Sequence, residues 1–185
     1  MSSAFEVEFS AARGRALAAY ANFERAQCAL FGVLAQTDSA VSELVFFKTS
    51  GHPRRRLLQD LLTLRHQDVH KKFWASIEKH TKTIDDDRNN IAHWPLTFNL
   101  VPAGSALDVL ELTPPVKRPG KGLPPVTIRD MELFTAKCLF FSKLVKAFSI
   151  WLSRPAELDA RYPWREIFLQ PAVHPPIANH PLAGP

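Results

Sequence analysis

Residues 85 to 95 read DDDRNNIAHWP, so an arginine, two amides, a histidine and three carboxylates stand within one short run. Arginine keeps its charge at any physiological pH and offers a planar fork of donors that suits phosphate; imidazole is the side chain that exchanges a proton near neutrality. At 100° per residue, Asp85, Arg88, Asn89, Ala92 and His93 share an arc about 140° wide, while Ile84 and Ile91 fall in a narrow sector beside it. Arg88, Asn89 and His93 are therefore expected to project into one accessible concave site, with the two Ile residues buried beneath it. A cation, an amide and a titratable imidazole would converge there. Asp85 and Asp86 are expected to stand close enough to bias His93. The plainer reading of the same residues is a solvated helix end with ion pairs.

Other candidates carry less chemistry. His66 and His70 have the i, i+4 spacing that can hold a metal on one helical face, but position 67 is Gln, where a zinc peptidase needs its general-base Glu. Cys28 and Cys138 are far apart without CxxC spacing, which fits buried free thiols rather than a disulfide or thiolate zinc site. With no Gly-rich phosphate loop and no nucleophile elbow either, neither a metal nor a cofactor is expected. Twenty-three Lys and Arg against eighteen Asp and Glu leave a net charge of +5, which permits a polyanionic partner without demanding one. Arg54 and Arg55 at a helix start, and Lys117, Arg118 and Lys121 in a Pro- and Gly-rich loop, are the candidates for phosphate contacts. Lacking interleaved exposed aromatics, they do not specify RNA.

These residues need a scaffold, and 185 residues with 46% hydrophobic content suffice for one domain. From about 11 to 35, Ala16, Tyr20, Phe23, Gln27, Leu30 and Leu34 recur at alternating spacings of four and three, the mark of an amphipathic helix. A short second helix fits 41–47 after cap candidates Thr37, Asp38 and Ser39. A long third one is expected from Pro53 to near His80 through Leu58, Leu62, Val69, Phe73 and Ile77. Thr83 would cap a short fourth helix with Asp85, Asp86 and Asp87 in its first turn, stopped by Pro95. Leu96, Phe98 and Leu100 alternate and would pair with Leu107, Val109 and Glu111 in a β-hairpin, followed by a basic loop to Pro125. Thr127 then opens a helix with one apolar seam from Met131 through Phe148 to Leu152, and a second formed by Leu133, Phe140, Leu144 and Trp151. The expected architecture is an all-α antiparallel bundle of four to five helices with a small hairpin insertion. Residues 1–154 form the helical domain, with hairpin and basic loop about 95–126, and 155–185 form a proline-rich tail in which Tyr162, Trp164, Ile167 and Phe168 are possible docking points. The double seam exposes enough apolar surface to suggest a homodimer. No apolar run reaches membrane-spanning length and the first residues lack a secretion signal, so a cytoplasmic protein without membrane association is expected.

Arg88-Asn89-Asn90-Ile91-Ala92-His93 resembles the R-(polar)-x3-H signature of the HEPN superfamily, and the helical frame from about 11 to 153 resembles that family's small antiparallel bundle. The hairpin and basic loop before the closing helix are longer than a minimal bundle of this kind needs. The resemblance implies a metal-independent endoribonuclease, with Arg88, Asn89 and His93 in the site and two motifs meeting across a dimer axis. It also implies RNA restriction in toxin–antitoxin or phage-defence systems, under an antitoxin or other regulatory protein. Other members are non-catalytic binding or regulatory modules, and that alternative stands beside the first.

Overall fold

The computed structural model describes residues 4–99, 109–115, 123–160 and 162–183. It is an all-α bundle with a small two-stranded hairpin: α1 Ala4–Ala35, α2 Ser39–Lys48, α3 Gly51–His66, α4 Lys71–His93, β1 Leu96–Asn99, β2 Val109–Leu112, α5 Ile128–Ser153, and the short α6 Pro155–Asp159 and α7 Trp164–Ile167. The long helices α1 and α5 pack along each other and form the spine, with Phe23 edge-on to Phe141. Every member of the α1 stripe from Ala16 to Leu34 is buried, and the helix begins about two turns earlier than its periodicity predicts, so that Phe9 and Ala12 extend the same face. Asp38 caps α2 by accepting from the Val41 amide at 2.9 Å, and Thr127 caps α5 in a reciprocal box with Asp130.

Two expectations about the middle of the chain are overturned. The predicted long helix ends at His66, because Gln67 turns the backbone to φ 53°, and α4 starts at Lys71 with His70 buried in the turn. Val69, placed on the predicted stripe, is exposed in that turn. Nor is there a separate short helix opened by Thr83. The segment from Lys71 to His93 is one 23-residue helix, and the Thr83 hydroxyl donates to the His80 carbonyl at 2.9 Å in its interior. No Gly or Pro interrupts that stretch, and Phe73, Ile77, Thr81, Ile84 and Ile91 form one continuous buried stripe. Asp85, Asp86 and Asp87 therefore lie deep in a helix, away from its dipole's positive end.

The hairpin pairs Leu96 with Leu112, Thr97 with Glu111, Phe98 with Leu110 and Asn99 with Val109. Leu110 and Leu112 are the buried residues of β2, one position out of phase with the predicted Val109 and Glu111, and a one-residue change of phase exchanges the faces of a strand. Leu100 and Leu107 lie outside the described residues. Val126 bridges to Leu112, which returns the chain to α5.

The proline-punctuated C-terminal stretch packs onto the bundle. Phe168 is completely buried against Phe73, Phe148, Trp151 and Trp164, while Tyr162 stays exposed. The same stretch covers part of the second α5 seam: Phe140 meets His174 and His180, and Trp151 meets Phe168. The apolar surplus that suggests a dimer is thus largely met within the chain, with Leu133, Leu139 and Ile150 left exposed. Among the described residues no single helix is long and apolar enough to cross a membrane.

Candidate functional site

The site grows from the C-terminal half of α4. Ile84 and Ile91 are buried, as helical phase requires, and they turn Asp85, Arg88 and Asn89 toward α1 and the start of α3. Between these helices lies a cleft of 420 Å³, lined by Tyr20 and Glu24 from α1, Thr49 to Gly51 and both Arg54 and Arg55 around the α3 start, and Asp85, Arg88 and Asn89 from α4.

Arg88 is seated on an aromatic platform. Its guanidinium carbon lies 4.7 Å from the centroid of the Tyr20 ring, and Nη1 donates to Asn89 Oδ1 at 3.0 Å. No carboxylate among the described residues forms an ion pair with Arg88, so most of its donor fork faces the cleft. Tyr20 Oη donates to Asp85 Oδ1 at 3.1 Å, and Arg55 Nη1 donates to Asp85 Oδ2. Burial pushes the Asp85 carboxyl above the ordinary aspartate value, although Tyr20, Arg55 and Arg88 all favour its charged form. Burial, reinforced by Asp85 and Glu24, likewise raises the Tyr20 phenol. The expected influence of Asp85 on His93 gives way to this network. Eight residues of helix separate the two by about 12 Å along the axis.

His93 is exposed near the end of α4, outside the residues that line the cleft, so the single concave site expected for Arg88, Asn89 and His93 holds only the first two. Five residues place it about 7.5 Å further along the axis than Arg88 and about 140° around it, which explains the separation. The helix end that bears it is fastened from α1, where Arg13 Nη2 donates to the Ala92 carbonyl at 2.7 Å and to that of Trp94 at 3.5 Å. A cation on the last carbonyls suits the negative end of the helix dipole.

The two arginines of the α3 start divide their roles. Among the described residues Arg55 donates to Asp85 alone, whereas Arg54 is spent on structure. Nε and Nη2 of Arg54 donate to the Thr49 carbonyl at 3.1 and 2.9 Å, Nη1 pairs with Glu24 at 2.5 Å, and the guanidinium stacks on Phe46. As a phosphate contact Arg54 is therefore corrected to a pin joining α1, α2 and α3. Lys117, Arg118 and Lys121 lie outside the described residues.

Tyr20 and Arg13 are the site residues that sequence reasoning missed. Tyr20 occupies the core stripe of α1 and reads as packing, and only its hydroxyl hints at a polar neighbour; nothing around Arg13 signals a capping role. Across α4 from the cleft, a mostly apolar hollow of 640 Å³ is walled by Ile91, Trp94, Phe134, Lys137 and the His174–Pro175 stretch. His66 and His70 do come together, with ring centroids 5.8 Å apart, but across the turn between α3 and α4. The His70 Nδ1 donates to the Phe168 carbonyl at 3.0 Å, and no group of three or more potential metal ligands occurs among the described residues. Cys28 and Cys138 are buried free thiols; burial raises both, that of Cys138 to about 12.

No protein-family model matches the chain, and no curated protein or solved structure matches it either.

Proposed function

We propose that this protein is a HEPN-like, metal-independent endoribonuclease that works as a homodimer. One observation carries the reading: Arg88 is held at a cleft by Tyr20 and Asn89, with its fork uncommitted to any described carboxylate, while His93 stands exposed further along the same helix. A merely structural arginine, of which Arg54 is the nearby example, has every guanidinium nitrogen bonded within the fold.

RNA supplies its own nucleophile. The 2′-oxygen attacks the adjacent phosphorus and His93 takes the hydroxyl proton; the bond to the 5′-oxygen breaks, and that oxygen receives a proton from the His93 of a second copy. The products are a 2′,3′-cyclic phosphate and a 5′-hydroxyl, with no metal or redox partner required. Arg88 would brace the charged phosphoryl oxygens with parallel donors, and Asn89, bonded to it, would keep the fork aimed. Arg55 would contact the strand next to the scissile phosphate. An enzyme of this kind belongs in the cytoplasm under the restraint of an antitoxin or other regulatory protein.

The position of His93 outside the cleft favours a second reading, a non-catalytic module in which the cleft binds a partner or a nucleotide. Incubating the purified protein with structured and unstructured RNA in chelator decides between them. Wild type is expected to cut, leaving cyclic phosphate ends, and His93→Ala to lose all cleavage while keeping its thermal unfolding temperature. Equal degradation by both proteins shows that the cleavage arises from contamination or from elsewhere on the molecule, and none by either while both are folded gives the module reading precedence.

A further inference from the structure

The cleft already holds an anion of its own. Asp85 stands between guanidinium groups from two helices: Arg55 of α3 donates to Oδ2, and Arg88 of α4 lies over the Tyr20 ring whose hydroxyl donates to Oδ1. Both arginine charges act on this carboxylate. The start of α3 borders the same spot, since a methyl group on Gly51 would stand in ordinary contact with Arg55 Nη1 and Asp85 Oδ2, at 3.7 Å from each. The positive end of a sixteen-residue helix is thereby added to the two guanidinium charges.

We propose that Asp85 is a resident anion standing where a phosphate group of the ligand binds, so that ligand and carboxylate compete for Arg55 and Arg88 and Asp85 sets the affinity of the cleft. This rests on the nucleic-acid reading of the cleft and deepens it by naming the group that the cleft takes, but it does not depend on cleavage.

The carboxylate is a poor final occupant. Burial raises the Asp85 carboxyl despite two cations and a phenol that favour its charged form, so its desolvation is incompletely offset. A phosphate group brings equal or greater charge and additional acceptor oxygens, which suits the unused donors of two guanidinium forks better than one carboxylate does. The Arg55–Asp85 pair can also open without disturbing the core. Its side chains retain 20% and 24% of their exposure, so Asp85 can leave by rotating along the cleft wall. Arg54 is less available, because three of its five donors are already bound to Thr49 and Glu24.

The same chemistry could come from a terminal phosphomonoester or from an internal phosphodiester of a strand. The test uses the full chain and a fluorescent single-stranded DNA, which lacks the 2′-hydroxyl and so reports binding without cleavage, carrying either a 5′-phosphate or a 5′-hydroxyl. Asp85→Asn keeps the size of the side chain and an acceptor for Tyr20, and it is expected to tighten binding at least ten-fold. Stronger binding of the 5′-phosphorylated strand identifies the monoester as the source, and equal binding of the two strands identifies the internal diester. Gly51→Ala, which narrows the same spot, should weaken both. If Asp85→Asn is folded and binds no tighter than wild type, Asp85 is only a tie between helices and the proposal is overturned. Should that variant fail to fold, Tyr20→Phe decides instead. It frees Asp85 of one hydrogen bond, keeps the ring under Arg88, and must bind about three-fold tighter; unchanged binding overturns the proposal equally. Failure of the ribonuclease reading shows separately, as RNA cleavage that is absent or survives His93→Ala.

Discussion

The two halves of α4 face opposite kinds of neighbour. Its N-terminal half, with the His70 turn that precedes it, receives the C-terminal segment in an aromatic and imidazole seam: His70 against Phe148 and Trp151, His80 against Phe141, and Ser76 Oγ accepting the Ala172 amide at 2.7 Å. Its C-terminal half faces the cleft, where Asp85, Arg55 and Arg88 keep partial contact with water. Five of the seven histidines, His66, His70, His80, His174 and His180, gather along the seam, and burial lowers every one of them from the ordinary imidazole value. In the cleft the shifts run the other way, with burial raising the acids Asp85 and Tyr20. Desolvation thus selects neutral groups in both halves, but only the cleft sets permanent guanidinium charges against that tendency. The seam holds the molecule together, and the cleft keeps charge available for a ligand.

The sharpest break of this contrast removes Phe168. With no exposure and with ring contacts to Phe73, Phe148, Trp151 and Trp164, it joins the C-terminal segment to α4 and α5. Phe168→Ala is expected to cost about 3–5 kcal/mol in denaturant unfolding, through lost burial and the cavity left behind. Binding at the cleft should persist in the fraction that remains folded. A cost under about 1 kcal/mol would mean that the segment rests on the bundle without stabilising it.

Acid should then separate the halves by sign. A histidine lowered in the folded state binds protons more weakly than in the unfolded chain, where its value is about 6.5. Its stabilising contribution is complete above that value and is lost as pH falls through it toward the lowered folded value. His80 and His174 also face Lys137, and His66 faces Arg65 and His70, which further oppose their protonation. The raised carboxyl of Asp85 in the cleft acts oppositely, as do Asp87 and Glu78 elsewhere on α4: their folded forms hold protons more tightly, so acid relieves a penalty. Stability should accordingly fall between about pH 7.5 and 5 as the seam loosens, with relief from the carboxyls only toward the acid end. Hydrogen exchange should show residues 164–183 opening before α1 or the cleft. Uniform loss of protection across the bundle would erase the distinction between the halves.

How far the sequence foretells this division depends on whether a residue acts through periodicity or through a partner distant in the chain. The stripes from Ala16 to Leu34 and from Met131 to Phe148 are legible because a 3.6-residue repeat is written in the chain itself, and so is the capping residue Thr127. The shared face of Arg88 and Asn89 over buried Ile84 and Ile91 follows from the same phase argument. The break at Gln67 is hidden, since a positive φ there has no Gly to announce it. Phe168 sits among prolines without periodicity, and its burial depends on Phe73 of α4, about 95 residues upstream, and on Phe148 of α5, about 20 residues upstream. Arg54 and Arg55 are adjacent and chemically identical, yet one is consumed by Thr49 and Glu24 and the other stays partly open. Only the packing of α1, α2 and α4 around them makes that distinction.

The smallest expected effect gives the finest discrimination, and it sets Arg88 against Arg54. Arg54→Ala removes bonds to the Thr49 carbonyl and to Glu24 and strips a cation from the Phe46 ring, so it should cost about 2 kcal/mol, in the range for charged hydrogen bonds. Arg88→Ala removes one bond to the exposed Asn89 and a stack on Tyr20, worth at most about 1 kcal/mol together. If the cleft is built for a ligand, the functional order is the reverse: Arg88→Ala should abolish RNA cleavage, and Arg88→Lys should impair it although the charge remains, because a lysine cannot present parallel donors. Arg54→Ala should leave cleavage intact at temperatures where it is folded. Denaturant unfolding and cleavage assays on the three variants therefore form a crossed design. Were Arg88→Ala to destabilise the fold as much as Arg54→Ala while Arg88→Lys cleaved normally, Arg88 would be another structural pin, and the contrast between a supporting seam and a charged cleft would lose its functional half.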